Sequence, residues 1–223
     1  MTTHTRISEM HAARRLRRTL SRLVGGLFIG ILSHAACADE LDPATRLFAQ
    51  RLAIGVCGTC HGPDGNSTQP KFPRLAGQNA NYLLAQLKAF RAQTRGDADA
   101  ISYMWGMAGQ LSDETLDALA QYYAGRRPGK GSPADTAAIA RGQEIFAKGI
   151  PAEGVPPCSS CHGPDAHGVA DFPRLAGQHR QYILKQLTSF QSNMRNVAIM
   201  HGVALNLRET EMRSVATYLE AQP

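Results

Sequence analysis

Cys57-Gly58-Thr59-Cys60-His61 returns later in the chain as Cys158-Ser159-Ser160-Cys161-His162. Each copy has the Cys-x-x-Cys-His spacing that attaches a c-type haem: two thiols one short turn apart add to the vinyl groups of one porphyrin, and the next residue then lies beneath the iron. Cys57, Cys60, Cys158 and Cys161 are therefore candidate covalent attachment points for two haem c groups, and His61 and His162 candidate axial ligands. Cys-x-x-Cys also serves thioredoxin-like redox chemistry and structural zinc. A thioredoxin site needs a helix to follow, whereas Gly62-Pro63-Asp64-Gly65 is a turn signature. One four-cysteine zinc site would leave both histidines a coincidence.

The repetition extends well beyond the cysteines. Phe72-Pro73-Arg74-Leu75-Ala76-Gly77-Gln78 recurs letter for letter as Phe172-Pro173-Arg174-Leu175-Ala176-Gly177-Gln178, and Tyr82, Gln86, Leu87 and Phe90 match Tyr182, Gln186, Leu187 and Phe190 at the same offset. A period of this size marks a tandem duplication of one module. Pro/Gly-rich residues from Arg126 to Pro133 have the composition of an interdomain linker. The expected division is a leader over residues 1–38, one domain over 39–127, a linker over 128–135 and a second domain over 136–223. Each half is small for a hydrophobic core, and a buried haem can supply apolar volume that the side chains lack.

The leader stands apart in composition. Arg14, Arg15, Arg17, Arg18 and Arg22 precede an apolar run over 23–32, and Ala36-Cys37-Ala38 follows, which is the layout of a cleaved export signal. The run is shorter than the roughly 20 residues of a spanning helix. Acylation of Cys37 is the alternative processing. Of the 24 basic residues six lie in 1–38, against one of the 18 acidic residues, which leaves 18 basic and 17 acidic. The basic balance thus belongs to the leader, and nothing points to nucleic acid. An exported chain could use disulfides, yet all four cysteines beyond the leader belong to the haem strings.

Coarse periodicity is helical throughout, with no convincing strand. Pro43 suits a first helical position, and Leu47, Phe48 and Leu52 are placed on the core face of a helix that ends near Val56. Its counterpart starts near Thr136 and buries Ile139, Ile145 and Phe146. Further helices are read over Tyr82–Phe90 and Tyr182–Phe190. Another starts after Ser112, a capping residue followed by Asp113 and Glu114, and the last spans about Arg208–Ala221.

A second axial ligand is read from the repeat. Met suits an electron carrier because it raises the potential of His-bound haem. Met104 and Met200 both stand seven residues before a matched leucine, Leu111 and Leu207. Met107 aligns with Val203, which cannot bind iron, so the register selects Met104. His167, His179 and His201 have no histidine partner in the first half and read as solvated surface residues, with His201 the alternative to Met200. Arg74 and Arg174 are candidate partners for haem propionates, as are Tyr82 and Tyr182.

Together these residues resemble the class I cytochrome c fold, duplicated as in the cytochrome c4 family, over residues 44–221. The resemblance implies an all-α chain of two tandem class I cytochrome c domains, each wrapped round one covalent haem with His/Met ligation. It also implies a pseudo-twofold axis, propionate edges meeting at the interface, and Pro73 and Pro173 carbonyls accepting from His61 and His162. The expected role is a soluble periplasmic electron carrier between a quinol-oxidising complex and a haem-copper terminal oxidase, compatible with loose membrane association. Alternatives are the cytochrome subunit of a dehydrogenase acting on sulfide, thiosulfate or an alcohol, and a dihaem peroxidase, against which two aligned methionines argue. Gly142 is the place for a close helix crossing in the second half, where the first has Ala44.

Overall fold

A computed structural model describes residues 41–132 and 136–223. The export signal, Cys37 and the end of the expected linker lie outside these residues. The main helices are α1 (Pro43–Leu52), α2 (Ala80–Arg91), α3 (Asp113–Ala124), α4 (Thr136–Lys148), α5 (Arg180–Gln191), α6 (Ala198–Leu205) and α7 (Glu209–Ala221). Among the described residues the only β pairing is an isolated bridge between Ile150 and Val155.

Local chemistry starts the helices where the sequence suggests. Asp42 Oδ2 accepts from the Thr45 amide (2.9 Å) ahead of Pro43, and Asn79 Oδ1 accepts from the Tyr82 amide (3.2 Å). Ser112 Oγ accepts from the Thr115 amide (3.2 Å), with Asp113 and Glu114 in the first turn where the helix dipole favours acids.

In each half the first and last helices cross, α1 on α3 and α4 on α7, and the middle helix closes the bundle, α2 on α3 and α5 on α7. The two crossings differ. At Gly142 a Cβ would overlap the Ser214 carbonyl oxygen and the Tyr218 Cβ, so glycine lets α4 and α7 meet backbone to backbone. Ile145 and Phe146 are buried beside it.

The first half corrects the expected core face. Phe48 is 53% exposed and Leu47 is also exposed, whereas Phe146 is 1% exposed; Ala49 and Ala53 make the contact with α3 instead. The buried pair Ala49 and Ala53 has the same four-residue spacing as Gly142 and Phe146 in the second half, and a π-helical turn over Ala53–Cys57 joins α1 to the haem string. In the second half α4 stops at Lys148, and a 3₁₀ turn over Pro151–Glu153 leads to Cys158 without such a turn.

The stretch read as a linker is tied down at its start. Gly129 N donates to Asn66 Oδ1 (2.6 Å) and Ser132 N donates to the Glu220 carbonyl (3.0 Å). Across the halves the repeated glutamines exchange bonds. Gln178 Oε1 accepts from Arg74 N (2.9 Å) while its Nε2 donates to Arg74 O (2.8 Å), and Gln78 does the same to Arg174 (2.7 and 2.9 Å).

Candidate functional site

The two Cys-x-x-Cys-His strings form short helical turns, Gly58–His61 and Ser159–His162. Side-chain hydroxyls stitch each to the residue before it: Thr59 Oγ1 donates to Val56 O (2.7 Å) and Ser160 Oγ to Pro157 O (2.6 Å). All four cysteines are unpaired. Burial pushes the Cys158 thiol up to about 11, so it is neutral at physiological pH.

The Phe-Pro-Arg-Leu repeat has a direct use. His61 Nδ1 donates to Pro73 O (2.8 Å), and His162 Nδ1 to Pro173 O (3.2 Å). Phe72 and Phe172 meet the imidazoles edge-on, at ring separations of 6.1 and 6.0 Å. Proline has no N–H to distort this loop, and a fixed carbonyl orients the ring and strengthens its donor nitrogen. Burial holds both imidazoles below the usual histidine pKa, against the proline contact, so each is neutral and Nε2 carries the free lone pair.

A cavity of about 1560 Å³ runs through the shared wall of the two halves. It is lined by Cys57, Cys60, His61 and Met104 and by Cys158, Cys161, His162 and Met200, among mostly apolar neighbours such as Leu83, Phe90, Ile183 and Phe190. Met104 is half-buried against Phe90, Ala100 and Ala108, while Met107, though it also reaches the cavity, is exposed. Met200 packs against the core of the second half. His201 is not on the cavity wall; its Nδ1 donates to Phe190 O (2.7 Å). Trp105, its counterpart, donates from Nε1 to Arg95 O (2.8 Å). His201 thus ties its methionine segment to the end of α5, and Trp105 ties its own to the loop after α2.

His201 is half-buried and His179 buried, which corrects the reading of both as solvated; His167 is exposed. His179 Nε2 donates to Ser67 O of the other half (2.9 Å), with Nδ1 3.6 Å from the Glu220 carboxylate. At the equivalent place Asn79 Nδ2 donates to Ala170 O. Burial, then the charge of Arg74, holds the His179 pKa below its ordinary value. An imidazole that is neutral when folded and free to protonate when unfolded makes added protons favour unfolding. Stability should therefore fall as the pH drops below about 6.5. His179→Asn should flatten this dependence relative to the parent in denaturation curves at pH 7 and 5; equal slopes would refute it.

Arg74 and Arg174 both line the cavity and also hold backbone: Arg74 Nη1 donates to the carbonyls of Gly177 (2.5 Å) and Lys130 (3.2 Å), and Arg174 Nη2 to Pro223 O (2.5 Å), while the buried Arg174 Nε has no hydrogen-bond partner among the described residues. Two other guanidiniums occupy the shared wall. Arg95 Nη2 donates to Tyr182 Oη (3.2 Å) and Arg195 Nη2 to Tyr82 Oη (2.8 Å), each crossing to the opposite half. Sequence reasoning passed over both, although each stands five residues after a matched phenylalanine.

Four unpaired thiols beside two neutral imidazoles, facing an apolar cavity with a thioether for each, are the donor set of two c-type haems. The family model for cytochrome c matches residues 45–124 and again 139–222. Cytochrome c4 of Azotobacter vinelandii is 39% identical over 176 residues, 74% of this chain and 83% of that one. This chain belongs to the cytochrome c4 family. The solved cytochrome c4 of Acidithiobacillus ferrooxidans superposes with a TM-score of 0.71 at 40% identity, covering 74% of this chain and 98% of that one. A protein of Thiomonas intermedia described as a thiosulfate dehydrogenase electron acceptor is 39% identical over 75% of this chain and 78% of its own. As a cytochrome c4 the chain holds two covalent haem c groups and is an electron carrier rather than an enzyme. The haems supply one-electron chemistry at iron; the protein supplies ligands, burial and orientation.

Proposed function

We propose that this chain is a periplasmic carrier that takes single electrons from a quinol-oxidising complex and delivers them to a haem-copper terminal oxidase. In this reading Cys57 and Cys60 fix the first haem, with His61 and Met104 as axial ligands. Cys158 and Cys161 fix the second, with His162 and Met200. The observation that carries it is the pairing of a cavity-facing histidine with a cavity-facing methionine in each half. Ligands on both faces of each iron suit outer-sphere electron transfer, whereas a peroxidase must leave a face open to its substrate. Processing of the leader after Ala38 would release the carrier on export. No helix among the described residues is long and apolar enough to cross a membrane.

A second reading is favoured by the Thiomonas intermedia relative, in which the electron donor is a thiosulfate dehydrogenase. The two readings separate in a stopped-flow experiment with the oxidised holoprotein. Fast reduction by a solubilised quinol:cytochrome c oxidoreductase supports the first. Reduction by thiosulfate dehydrogenase and thiosulfate alone, with none by the quinol-oxidising complex, would replace it with the second.

A further inference from the structure

Arg95 and Arg195 are 6% and 5% exposed, in the wall that the two haem pockets share. Their acceptors are mostly neutral. Gln86 Oε1 accepts from Arg95 Nη1 (2.9 Å) and from Arg195 Nη2 (2.7 Å); Gln186 Oε1 accepts from Arg95 Nη2 (2.8 Å) and from Arg195 Nη1 (2.8 Å). Each guanidinium lies over the phenylalanine of its own half, 4.8 Å from the Phe90 ring and 4.5 Å from the Phe190 ring. One carboxylate joins them. Asp97, 1% exposed, accepts from Arg95 Nε (2.7 Å), while Arg195 has no ion-pair partner among the described residues. The adjacent Asp99 is engaged with Lys185.

The cluster therefore holds two positive charges against one negative. A guanidinium does not discharge by losing its proton, and a buried charge without a counter-ion is strongly destabilising. An anion is called for on the cavity side. The cavity's own occupants bring it, because each haem c carries two propionate carboxylates, and the planar guanidinium fork matches a carboxylate. We propose that the Arg95–Arg195 cluster is a carboxylate-binding centre shared by the two haems, and that Asp97 fills it on one side only, so that the haems are held unequally. This rests on the two-haem reading above. The inequality is built into the chain: the segment from Arg95 to Met104 is four residues longer than that from Arg195 to Met200 and carries Asp97. The shorter one, Asn196-Val197-Ala198-Ile199, has no acid.

In a dry wall a single charge acts strongly on its neighbours. Removing the negative charge of Asp97 makes an added electron more welcome, and removing the positive charge of Arg195 makes it less so. The test is a spectroelectrochemical titration of the holoprotein, with haem content first counted by pyridine haemochrome. Asp97→Asn, which keeps the size of the side chain and an acceptor for Arg95, should raise both midpoints, one of them by at least a tenfold change in its reduction equilibrium, or 59 mV for one electron. Arg195→Gln should lower them, and Arg195→Lys should lower them less. Midpoints that stay put or fall in Asp97→Asn would overturn the proposal. That variant decides alone where Arg195→Gln yields no two-haem protein. Fewer than two haems in the parent protein would instead overturn the reading on which the proposal rests.

Discussion

Replacing Met104 with alanine is expected to remove about half of the far-red absorption that marks methionine bonded to oxidised haem iron, because the proposed ligation gives each haem one thioether bond. Met200→Ala should remove the other half, and the double variant all of it. Met107→Ala should leave the band intact. The discrimination is demanding, since Met104 and Met107 lie one turn apart and both reach the cavity wall. What separates them is setting. Met104 packs against Phe90, Ala100 and Ala108, whereas Met107 stands outside that cluster. A band unchanged in Met104→Ala, or halved in Met107→Ala, would reverse the ligand assignment.

Phe146→Ala should be costly and Phe48→Ala nearly silent, although each is the phenylalanine of the first helix in its half. Phe146 is enclosed by the second core and pairs with Tyr218 at a ring separation of 5.5 Å. Its truncation removes a large apolar side chain from a packed site, with an expected loss of about 3–5 kcal/mol. Phe48 is half in water, so its truncation should stay within about 0.5 kcal/mol. Denaturant titration of the holoprotein variants measures both. Equal losses would show that Phe48 is packed as Phe146 is.

That contrast also shows where sequence reading stops. The haem strings, the capping residues and the Phe-Pro-Arg-Leu loop are legible because their chemistry is local: neighbouring thiols, a side chain reaching an amide three residues on, a proline carbonyl held in a short loop. The buried face of α1 is not. Leu47 and Phe48 look like Ile145 and Phe146, yet α1 meets α3 through the small residues Ala49 and Ala53 and leaves the larger pair outside. His179 and the Arg95–Arg195 cluster were hidden for a different reason. Their partners, Ser67, Tyr82 and Tyr182, lie in the opposite half of the chain. Polarity alone suggests a wet surface for such residues, and burial follows only once two halves have closed on them.

The exchanged glutamine bonds have a consequence for the duplication itself. Gln78 grips the backbone of Arg174 as Gln178 grips that of Arg74, so one heptapeptide acts as both plug and socket. That is the logic of an isologous interface, in which the same patch binds its own copy about a twofold axis. A single module carries both halves of this glutamine exchange, and the linker, itself bonded through Gly129 and Ser132, makes the pairing intramolecular. A change at Gln78 removes a bond that the other copy's backbone depends on, which gives a physical reason for both copies to keep that glutamine.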